Sequence, residues 1–508
     1  MNADATRTYN AAEDLVGRNI AAGRGGKLAF IDDTGSYTFA ELARRVDRFA
    51  AALVSSGIQP EQRIMIAMLD SIDWPTAFLG AIKAGVVPVA VNTLLTTADY
   101  SYMLEDSRAK ALFVSQALLP QFAPLLSSVQ HVVAGDAAFC EFMGRGADTF
   151  ACARTTRDDA CFWLYSSGST GAPKGTVHVH ASLAMTADLY AEPVLGLRED
   201  DVLFSAAKLF FAYGLGNSLS FPLAAGATAV LMAERPTPQS VFKRLVGQRP
   251  TIFFGVPTLY AALLASPEFP ERGTMHLRLC TSAGEALPAE LGTRWQARTG
   301  VDILDGIGST EMLHIFMSNH PGEVHYGTTG RPLPGYRVRL TDENGNDVPT
   351  GEVGDLYISG PTAAAGYWNQ REKSRATFCG EWTRSGDKYS RNAQGIYTYA
   401  GRSDDMLKVS GIYVSPFEVE GAIASHESVL EAAVIGAEDG DKLIKPKAYV
   451  VLRSGSTPSE ELKTLLQAHV KSKLAPYKYP RWIEFVPELP KTATGKIQRF
   501  KLRLDSNG

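Results

Sequence analysis

Apolar, β-rich runs separated by helical stretches are the feature of this sequence that most restricts its fold. The runs lie at residues 63–67, 86–91, 111–114, 161–165, 227–232, 251–255 and 301–304. Strands that alternate with helices favour parallel sheets covered by helices on both faces. Because a chain of 508 residues is too long for one hydrophobic core, we expect two or more domains.

The pattern changes after residue 327. Short alternating runs at 336–340 and 355–358 flank a turn in which Asn344 precedes Gly345, and this pattern predicts a small antiparallel barrel or sheet. After Gly401 a compact unit begins with its own helix start, where Ser415 supplies an N-cap and Pro416 the first helical position. We therefore place a domain boundary near residues 403–404.

The overall charge and the cysteines argue against several classes of protein. A net charge of −4 gives no general attraction to nucleic acid or anionic lipid, so a site for a polyanion such as ATP has to be built locally. The five cysteines form no CxxC pair, which indicates reduced thiols and a cytoplasmic protein. The N-terminus lacks the apolar core of a signal peptide. The most apolar stretch, 78–95, is interrupted by Lys83, Gly85, Pro88 and Asn92, so we expect no membrane span.

The segment Tyr165–Gly175, YSSGSTGAPKG, carries the strongest chemical signal. Its glycines let backbone N–H groups converge on oxygens, its hydroxyls add donors, and Lys174 supplies positive charge, as a loop around phosphates requires. It does not fit the pattern GxxxxGK[ST], because Pro173 stands where the second glycine should be. A flexible surface loop is the alternative, and the buried strand expected at 161–165 argues against it.

This segment resembles the phosphate loop of the adenylate-forming superfamily, which contains acyl-CoA synthetases, peptide-synthetase adenylation domains and firefly luciferase. Four further stretches match that superfamily in the same order: Asp305–Glu311 (DGIGSTE), Arg384–Asp387 (RSGD), Gly401–Gly411 (GRSDDMLKVSG) and Pro490–Arg499 (PKTATGKIQR). Five matches in register are far more specific than any one alone. The stretches KLFFAYGLGNSLSFPL, TSAGEALP and GIGSTEMLHIF are most similar to benzoate-CoA ligases and hydroxybenzoate-CoA ligases.

The resemblance implies an α/β fold in three parts. A large N-terminal domain of two α/β sheet subdomains plus a small β-barrel spans 1–402, a hinge lies at 403–404, and a small mobile α+β C-terminal domain spans 405–508. It also implies a ligase that uses ATP and Mg²⁺ to convert benzoate or a hydroxybenzoate into an acyl-adenylate, and then passes the acyl group to coenzyme A. The expected partners are these small molecules. A homodimer fits the resemblance, although the sequence leaves the oligomeric state open.

Attack of a carboxylate on the α-phosphate brings two anions together, so positive charge must be supplied where they meet. By resemblance, Lys496 bridges the two anions, Glu311 holds Mg²⁺ through a hard oxygen ligand, and Thr310 contacts the α-phosphate. The resemblance also assigns residues to the three parts of ATP. Those at the phosphates are Ser166, Ser167, Gly168, Ser169, Thr170, Gly171 and Lys174. Those at the adenine are Gly284, Glu285, Ala286, Asp305, Gly306 and Ile307, and those at the ribose are Asp387 and Arg402. The alternatives are a solvated carboxylate for Glu311, a helix start for residues 284–286, a surface ion pair for Asp387 and Arg402, and a surface lysine in a tail for Lys496.

The same resemblance predicts the acyl pocket. Its expected residues are Phe211, Ala212, Tyr213, Gly214, Ala283, Gly308, His314 and Ile315, because a planar ring needs aromatic or branched walls with small residues opposite. His314 either touches the ring or is a structural histidine bonded to the backbone. We interpret the pair His178 and His180 as structural, since no third ligand is spaced for a metal.

The C-terminal motifs imply a domain that presents two faces in turn. Asp404 resembles the hinge, because adenylation needs Lys496 in the site whereas thioester formation needs that space for the pantetheine arm. The residues expected near coenzyme A are Lys408, Ser410 and Gly411 at the tunnel, and Tyr477, Lys478 and Tyr479 near the nucleotide, with packing or solvation as the alternative for the last three. Lys496 is also a candidate for regulatory acetylation, which would remove its charge.

Three other functions compete with an aryl-CoA ligase. An adenylating enzyme that loads a carrier protein would show an appended carrier domain, for which we see no room after Lys496, although the carrier could be a separate protein. A luciferase-like oxygenase shares the fold, but the aryl-ligase stretches argue against it. A non-catalytic binding or scaffold relative would usually have lost one of the charged motif residues, which are Lys174, Glu311, Asp387, Arg402 and Lys496, and all five are present.

Overall fold

The computed structural model describes residues 8–166, 172–403, 405–409, 412–439, 443–491 and 497–506. The strands are β1 (Leu28–Ile31), β2 (Ser36–Thr38), β3 (Arg63–Ala67), β4 (Val87–Ala90), β5 (Ala111–Val114), β6 (His131–Ala134), β7 (Ala160–Ser166), β8 (Lys174–Val179), β9 (Val202–Ser205), β10 (Thr228–Val230), β11 (Ile252–Gly255), β12 (Leu279–Ser282), β13 (Ile303–Gly308), β14 (Ile315–Ser318), β15 (Arg331–Pro332), β16 (Arg337–Thr341), β17 (Val353–Ser359), β18 (Gly366–Tyr367), β19 (Phe378–Cys379), β20 (Trp382–Arg391), β21 (Tyr397–Arg402), β22 (Leu407–Val409), β23 (Ile412–Val414), β24 (Val429–Glu438), β25 (Ile444–Leu452) and β26 (Trp482–Phe485).

The α-helices are α1 (Arg18–Ala21), α2 (Phe39–Ser55), α3 (Asp73–Lys83), α4 (Thr97–Ser107), α5 (Leu119–Phe122), α6 (Asp136–Gly144), α7 (Ala181–Thr186), α8 (Ala212–Leu215), α9 (Phe221–Ala225), α10 (Pro238–Gly247), α11 (Pro257–Ala265), α12 (Ala289–Thr299), α13 (Arg371–Thr377), α14 (Pro416–Ala424), α15 (Glu460–Lys473) and α16 (Arg499–Ser506). Short π-helical turns lie at Glu13–Gly17, Ala187–Ala191 and Gly216–Ser220, and 3-10 turns at Gln116–Leu118, Ala123–Ser128 and Pro476–Lys478. In the described ranges, every helix is too short or too polar to cross a bilayer.

Two largely parallel sheets form most of the N-terminal part. The larger has nine strands in the order β15-β14-β13-β12-β11-β9-β10-β1-β2, and its strands from β13 to β1 pair in parallel. The other has seven strands in the order β18-β8-β7-β4-β3-β5-β6, and its strands from β7 to β6 pair in parallel. The alternation of apolar runs with helices therefore predicted the right kind of sheet. Because parallel strands end at one edge, their C-terminal loops gather side by side.

Local signals in the sequence explain where the first long helix begins and ends. The hydroxyl of Thr38 accepts from the amide of Glu41 at 3.2 Å, and the Glu41 carboxylate accepts from the amide of Thr38 at 2.8 Å. This reciprocal cap satisfies donors that a helix start leaves open, an effect worth about 1 kcal/mol. The apolar residues at helical spacing, Leu42, Val46, Phe49 and Leu53, are all buried. The chain leaves the helix just before Gly57, whose φ is +83°.

The element predicted as a small barrel or sheet is a five-stranded antiparallel sheet, in which β16, β17, β20 and β19 are neighbours and β21 pairs with β20. The predicted turn connects β16 to β17. There the side chain of Asp342 accepts from the amides of Asn344 at 2.9 Å and Asn346 at 2.8 Å. These side-chain bonds replace the backbone partners that a turn cannot provide.

The C-terminal part has its own core. It contains the ribbon of β22 and β23, the sheet β24-β25-β26, and helices α14 to α16. The hydroxyl of Ser415 accepts from the amide of Glu418 at 3.1 Å, as predicted for the start of α14. Among the described residues, the apolar clusters of the N-terminal part reach no further than Tyr399, and those of the C-terminal part begin at Leu407. The predicted α/β class with a small C-terminal unit is thus confirmed, while the limits 1–402, 403–404 and 405–508 stay a prediction.

Candidate active site

Strands β7 and β8 hold the two ends of the predicted phosphate loop. Ser166 ends β7 and pairs directly with Lys174, the first residue of β8. The residues between them that were assigned to phosphates, Ser167, Gly168, Ser169, Thr170 and Gly171, lie outside the described residues. The Nζ atom of Lys174 lies 4.2 Å from the centre of the Tyr367 ring, and burial lowers the pKa of its ammonium group. The hairpin therefore presents a partly desolvated cation at the base of the loop.

Glu311 lies near this cation, in the turn after β13. Its Oε1 accepts a hydrogen bond of 2.7 Å from the phenol of Tyr367. Burial is the main cause of the lowered Lys174 pKa, and the negative charge of Glu311 opposes it. Lys174, Tyr367 and Glu311 thus form one chain of contacts. The sequence analysis missed this tyrosine, because a sequence separation of 56 from Glu311 leaves no spacing pattern to connect the two residues.

The backbone of Thr310 is hydrogen bonded to a buried histidine. Its carbonyl oxygen lies 2.8 Å from Nε2 of His178, a residue whose side chain is fully buried. Burial lowers the pKa of His178 to about 4, so the ring is neutral at pH 7 and Nε2 carries the proton that it donates. The nearby His180 accepts from the amide of Ala11 through Nδ1 at 3.1 Å, and burial lowers its pKa to about 4 as well. These contacts favour the structural interpretation of the HxH pair.

The predicted ribose residues face each other across two neighbouring strands. Asp387 on β20 is the register partner of Arg402 on β21, and Nη1 of the arginine lies 3.1 Å from Oδ1 of the aspartate. Arg402 also donates to the carbonyl of Ser385 at 3.3 Å. Gly386 has a φ of +76°, and a Cβ at this position would lie 2.9 Å from Nη2 of Arg402. The positive φ and the closeness of the guanidinium group both favour glycine at this position.

The predicted adenine walls leave the C-terminal edge of two adjacent parallel strands. Ser282 at the end of β12 pairs with Asp305 on β13, so residues 284–286 leave β12 beside the C-terminal half of β13, which contains residues 305–307. Gly284 has a φ of +92°, which favours glycine. A Cβ at Gly306 would lie 3.0 Å from a backbone oxygen of β14, so a side chain there would require β14 to shift. The two predicted adenine segments thus lie on neighbouring strands of one sheet.

Asp305 is a buried titratable group of the predicted adenine segments. It is 5% exposed, its Oδ2 accepts from the amide of Leu287 at 3.4 Å, and its carbonyl accepts from the amide of Asn319 at 2.9 Å. Burial raises the pKa of its carboxyl group well above the ordinary value. A buried polar group of this kind gains strongly from a ligand that can hydrogen bond to it.

Three of the predicted acyl-pocket residues share one apolar cluster. Tyr213, Ala283 and Ile315 belong to it together with Ile307, and the phenol oxygen of Tyr213 lies 2.5 Å from the hydroxyl of Thr281. This cluster adjoins the predicted adenine segments, because Ile307 belongs to one of them and Ala283 directly precedes the other. An apolar lining with one polar contact at its edge is typical of a pocket for an aromatic ligand.

The other predicted pocket residues have different surroundings. Phe211 and Ala212 pack against the larger N-terminal cluster, so their part in the pocket stays a prediction. Gly214 and Gly308 leave no room for a side chain, because a Cβ would lie 2.1 Å and 2.5 Å from backbone oxygens. Both glycines thus permit a close approach of backbone segments beside the pocket.

His314 is buried and hydrogen bonded. Its Nε2 lies 3.2 Å from the carbonyl of Tyr213 and 3.2 Å from Oδ1 of Asn217, and it has 2% of its surface exposed. Both neighbours are acceptors, so Nε2 carries the proton. Burial lowers the pKa of the ring to about 3. The alternative of a histidine bonded to the backbone is therefore the one seen, and contact with a substrate ring stays a prediction.

The C-terminal motif is described only in part. Lys496, Asp404, Ser410 and Gly411 lie outside the described residues, and Lys408 lies in β22. Arg499 at the start of α16 donates to both carboxylate oxygens of Glu420 at 2.8 Å and lies 3.6 Å from Asp405. Arg503 also pairs with Asp405. The helix that follows the predicted catalytic lysine is therefore tied to the residue beside the predicted hinge.

The candidates for the coenzyme A nucleotide lie between α15 and β26. Lys478 pairs with the carboxylate of Glu418 at 2.6 Å, which favours the packing alternative for this lysine. The ring of Tyr479 lies between two cations, with Nζ of Lys471 at 3.9 Å and the guanidinium carbon of Arg481 at 3.7 Å from its centre. Neither of these cations was singled out from the sequence, since lysine and arginine at such positions are ordinarily solvated.

The charges of the nucleotide candidates act on one another. Burial is the main cause of the lowered pKa of Lys174, and the positive charge of Arg402 also lowers it. Burial and then the carboxylates of Asp387 and Asp305 raise the pKa of Tyr389. These interactions link Lys174 with Arg402, and Tyr389 with Asp387 and Asp305.

Two family models match this chain. The model of AMP-binding enzymes matches residues 18–368, and the model of the AMP-binding enzyme C-terminal domain matches residues 418–496. The matched ranges fall on either side of the predicted hinge.

Individual proteins are similar over almost the whole chain. A benzoate–CoA ligase of Thauera aromatica is 66% identical over 97% of this chain and 96% of its own length. A 4-hydroxybenzoate–CoA/benzoate–CoA ligase of Rhodopseudomonas palustris is 52% identical over 98% of this chain and 94% of its own length. The crystal structure of a benzoate CoA ligase from Burkholderia xenovorans LB400 matches with a TM-score of 0.93 at 58% identity, over 97% of this chain and 100% of that one.

Proposed function

This chain belongs to the family of AMP-binding enzymes, and from that premise we propose that it is an aryl carboxylate–CoA ligase that uses ATP to convert benzoate or a hydroxybenzoate into its coenzyme A thioester. The choice of acid is supported by the similarity to benzoate–CoA and hydroxybenzoate–CoA ligases. The observation that carries the proposal is the chain of contacts from Lys174 through Tyr367 to Glu311, within electrostatic reach of Arg402. It brings together positive charge and an oxygen ligand for a cation, as the activation of ATP requires.

Glu311 suits a magnesium ion that arrives with ATP. Mg²⁺ prefers hard oxygen ligands and is commonly held by one or two carboxylates together with substrate phosphates. The Glu311 side chain is half-buried, and its Oε1 accepts the bond from Tyr367, which orients the carboxylate. A bound Mg²⁺ would supply charge neutralisation at the triphosphate.

In the first half-reaction the substrate carboxylate attacks the α-phosphorus. A bond forms between the acyl oxygen and phosphorus, the bond to the bridging oxygen of the β-phosphate breaks, and pyrophosphate leaves with the electron pair. The hydroxyl of Thr310 donates to the α-phosphate, and His178 keeps this residue in place through its carbonyl. Lys496 supplies the ammonium group between the two anions, and Lys174 stabilises the departing phosphates.

The remaining nucleotide residues orient the adenosine. The ribose hydroxyls donate to the carboxylate of Asp387, which Arg402 orients from the adjacent strand. The adenine lies between residues 284–286 and 305–307, where the buried carboxyl of Asp305 is a hydrogen-bond partner for its amino group. Fixing the nucleotide at these points places the α-phosphate beside the acid, so that the reaction becomes effectively intramolecular.

The aromatic ring occupies the apolar cluster of Tyr213, Ala283, Ile307 and Ile315. Its carboxylate then points out of the pocket towards Thr310. The glycines of this region, Gly214, Gly306 and Gly308, keep its backbone segments close together. An apolar lining with aromatic and branched walls favours a planar ring over a flexible alkyl chain.

In the second half-reaction the sulfur of coenzyme A attacks the carbonyl carbon of the acyl-adenylate. The C–S bond forms, the bond from that carbon to the phosphate oxygen breaks, AMP leaves, and the thiol loses its proton. The C-terminal domain turns about Asp404, which removes Lys496 and brings Lys408, Ser410 and Gly411 to the tunnel. Tyr477 and Tyr479 lie near the nucleotide of coenzyme A, together with Lys471 and Arg481, which already flank Tyr479.

We also propose that the enzyme acts in the cytoplasm as a homodimer. The cytoplasmic location is supported by five cysteines without a disulfide among them, as expected in a reducing compartment. The dimer follows from the family resemblance, and light scattering of the purified protein tests it.

A panel of acids tests the proposed reaction. The purified protein is incubated with ATP, Mg²⁺ and coenzyme A together with benzoate, its hydroxy, amino and halo derivatives, cyclohexanecarboxylate or short fatty acids. We expect pyrophosphate release with benzoate or a hydroxybenzoate, and equal amounts of AMP and aroyl-CoA by mass spectrometry. Pyrophosphate release without any thioester would point instead to a carrier-loading enzyme, and a preference for fatty acids would contradict the aromatic substrate.

A further inference from the structure

Tyr367 is a buried tyrosine that touches both charged candidates at the base of the phosphate loop. Its phenol donates a hydrogen bond of 2.7 Å to Oε1 of Glu311, and Nζ of Lys174 lies 4.2 Å from the centre of its ring. Only 7% of its surface is exposed. One side chain therefore contacts the cation through its ring face and the carboxylate through its hydroxyl.

We propose that Tyr367 is a positioning residue that aligns the carboxylate of Glu311 with the ammonium group of Lys174 for the binding of MgATP. This inference rests on the proposed function, because it concerns the same nucleotide site. A hydrogen bond to one oxygen of a metal-binding carboxylate fixes the orientation of the other. The negative face of an aromatic ring attracts an ammonium group, which keeps the lysine on the same side.

The fold leaves Tyr367 little freedom relative to the phosphate loop. It lies on β18 and pairs with Thr176 of β8, two residues after Lys174. Its amide donates to the hydroxyl of Ser374 at 2.9 Å, and its ring centre lies 5.3 Å from that of Phe378. The tyrosine and the lysine are therefore carried by two paired strands and move together.

The segment before Tyr367 is bonded to the turn that carries Glu311. The amide of Ala364 donates to the carbonyl of Glu311 at 2.8 Å, and the hydroxyl of Thr362 donates to the carbonyl of Met312 at 2.7 Å. The chain from Thr362 to Tyr367 thus connects β8 to this turn. A displacement of either part reaches the phenol and changes the orientation of the carboxylate.

A tyrosine that only fills space is the alternative. Its replacement would weaken the fold and lower both half-reactions in parallel. A positioning residue differs, because its loss affects the metal and the nucleotide but leaves the later thioester step intact.

Two tyrosine-to-phenylalanine variants separate these roles. Tyr367→Phe keeps the ring beside Lys174 and removes only the hydroxyl that bonds Glu311. Tyr326→Phe is the matched control, because Tyr326 also donates from its phenol to a carboxylate, Oδ1 of Asp302 at 2.9 Å. Asp302 lies just before β13, and Glu311 lies just beyond the other end of that strand.

The main measurement is the affinity for Mn²⁺ in the presence of α,β-methylene-ATP, from the electron paramagnetic resonance signal of free Mn²⁺. We expect Tyr367→Phe to bind Mn²⁺ roughly 10- to 100-fold more weakly than the wild type, and Tyr326→Phe to bind it equally well. Pyrophosphate release from ATP and benzoate should fall by a similar factor. Thioester formation from synthetic benzoyl-AMP and coenzyme A should stay within about twofold of the wild type.

A double-mutant cycle with Glu311→Gln adds a second criterion. If the hydroxyl acts through Glu311, Tyr367→Phe should cause little further loss of pyrophosphate release in the Glu311→Gln background. Full additivity of the two losses, wild-type Mn²⁺ affinity in Tyr367→Phe, or equal losses in both half-reactions would each overturn the inference. A wild-type protein that formed no benzoyl-adenylate would refute the proposed function instead, and the Mn²⁺ comparison would still test Tyr367.

Discussion

Three buried histidines show how burial decides the chemistry of a single residue. His178, His180 and His314 are each at most 2% exposed, and burial lowers their pKa values to about 4, 4 and 3. A neutral imidazole has one donor and one acceptor, so each ring can serve neighbouring backbone groups without a counter-ion. In His178 and His314 the donor faces the backbone of Thr310 and Tyr213, which are themselves candidate site residues.

These lowered pKa values predict that acid weakens the fold. Between the folded and unfolded pKa values the unfolded chain binds protons that the native state does not, so stability is lost as pH falls below about 6.5. For His314, with a folded pKa of about 3, the loss between pH 7 and pH 5 should be about 2 kcal/mol. Urea unfolding of the wild type and of His314→Gln at both pH values measures it, and the variant should lose less stability on acidification.

The exposed His276 provides the control for this measurement. His276→Gln should keep the pH dependence of the wild type. If all three proteins lost the same stability between pH 7 and pH 5, the pKa of His314 in the folded state would not be depressed.

At the scale of the element, the hairpin of β20 and β21 shows how backbone shape supports a charged pair. Register places Asp387 opposite Arg402, and Gly386 provides the positive φ that lets the arginine lie over the backbone. A side chain at Gly386 would meet the guanidinium group and would also be strained. The pair of Asp387 and Arg402 therefore depends on the backbone conformation of Gly386, which has no side chain.

Gly386→Ala should weaken ATP binding selectively. The left-handed conformation costs a residue with a side chain about 1–2 kcal/mol, and displacement of Arg402 adds to this cost, so we expect the KM for ATP to rise roughly tenfold. The KM for benzoate should change little, and steady-state kinetics with each substrate varied separately measure both.

Gly395→Ala is the matched control, because Gly395 lies in the same hairpin with a φ of +75° but does not contact Arg402. It should show a comparable loss of stability with an unchanged KM for ATP. Equal effects of the two variants on ATP would mean that the proximity to Arg402 does not matter.

At the scale of the whole molecule, the described residues form separate N-terminal and C-terminal cores, which the proposed pair of half-reactions would use in turn. The N-terminal part carries the nucleotide and acyl candidates, and the C-terminal part carries the lysine motif and the candidates for coenzyme A. The pairing of Arg499 and Arg503 with Asp405 links the lysine motif to the hinge region. Rotation at Asp404 would therefore carry the lysine motif with it as one unit.

Lys496→Ala should separate the two half-reactions. Without the ammonium group between the two anions, pyrophosphate release should fall by roughly 100-fold or more. Thioester formation from synthetic benzoyl-AMP should be largely preserved, because the lysine has left the site by then. Rapid-quench assays of each half-reaction provide the comparison, and equal losses in both would refute the model of two alternating faces.

Asp404→Pro should have the opposite effect. Proline fixes φ and would hold the hinge in the conformation for adenylation. Acyl-adenylate should then accumulate on the enzyme while thioester formation slows, which single-turnover analysis would reveal. Unchanged overall turnover would show that residue 404 does not act as the hinge.

The sequence by itself determined the kinds of element, their order and the family chemistry. Helix caps such as that of Thr38 and Glu41, turns such as that of Asp342, and the alternation of β-rich runs with helices are local or periodic, so they can be read without a fold. The five motifs are likewise contiguous stretches of chain, which is why the ligase class was predicted correctly.

Only the tertiary structure decided which side chains meet. Tyr367 reaches Glu311 across 56 residues, His178 reaches Thr310 across 132, and Phe211 and Ala212 turn out to pack against a different core from Tyr213. The choice between a substrate-binding and a backbone-bonded His314 also needed its burial and partners. Such contacts depend on the register of paired strands and on how sheets pack, and no local pattern in a single sequence specifies either.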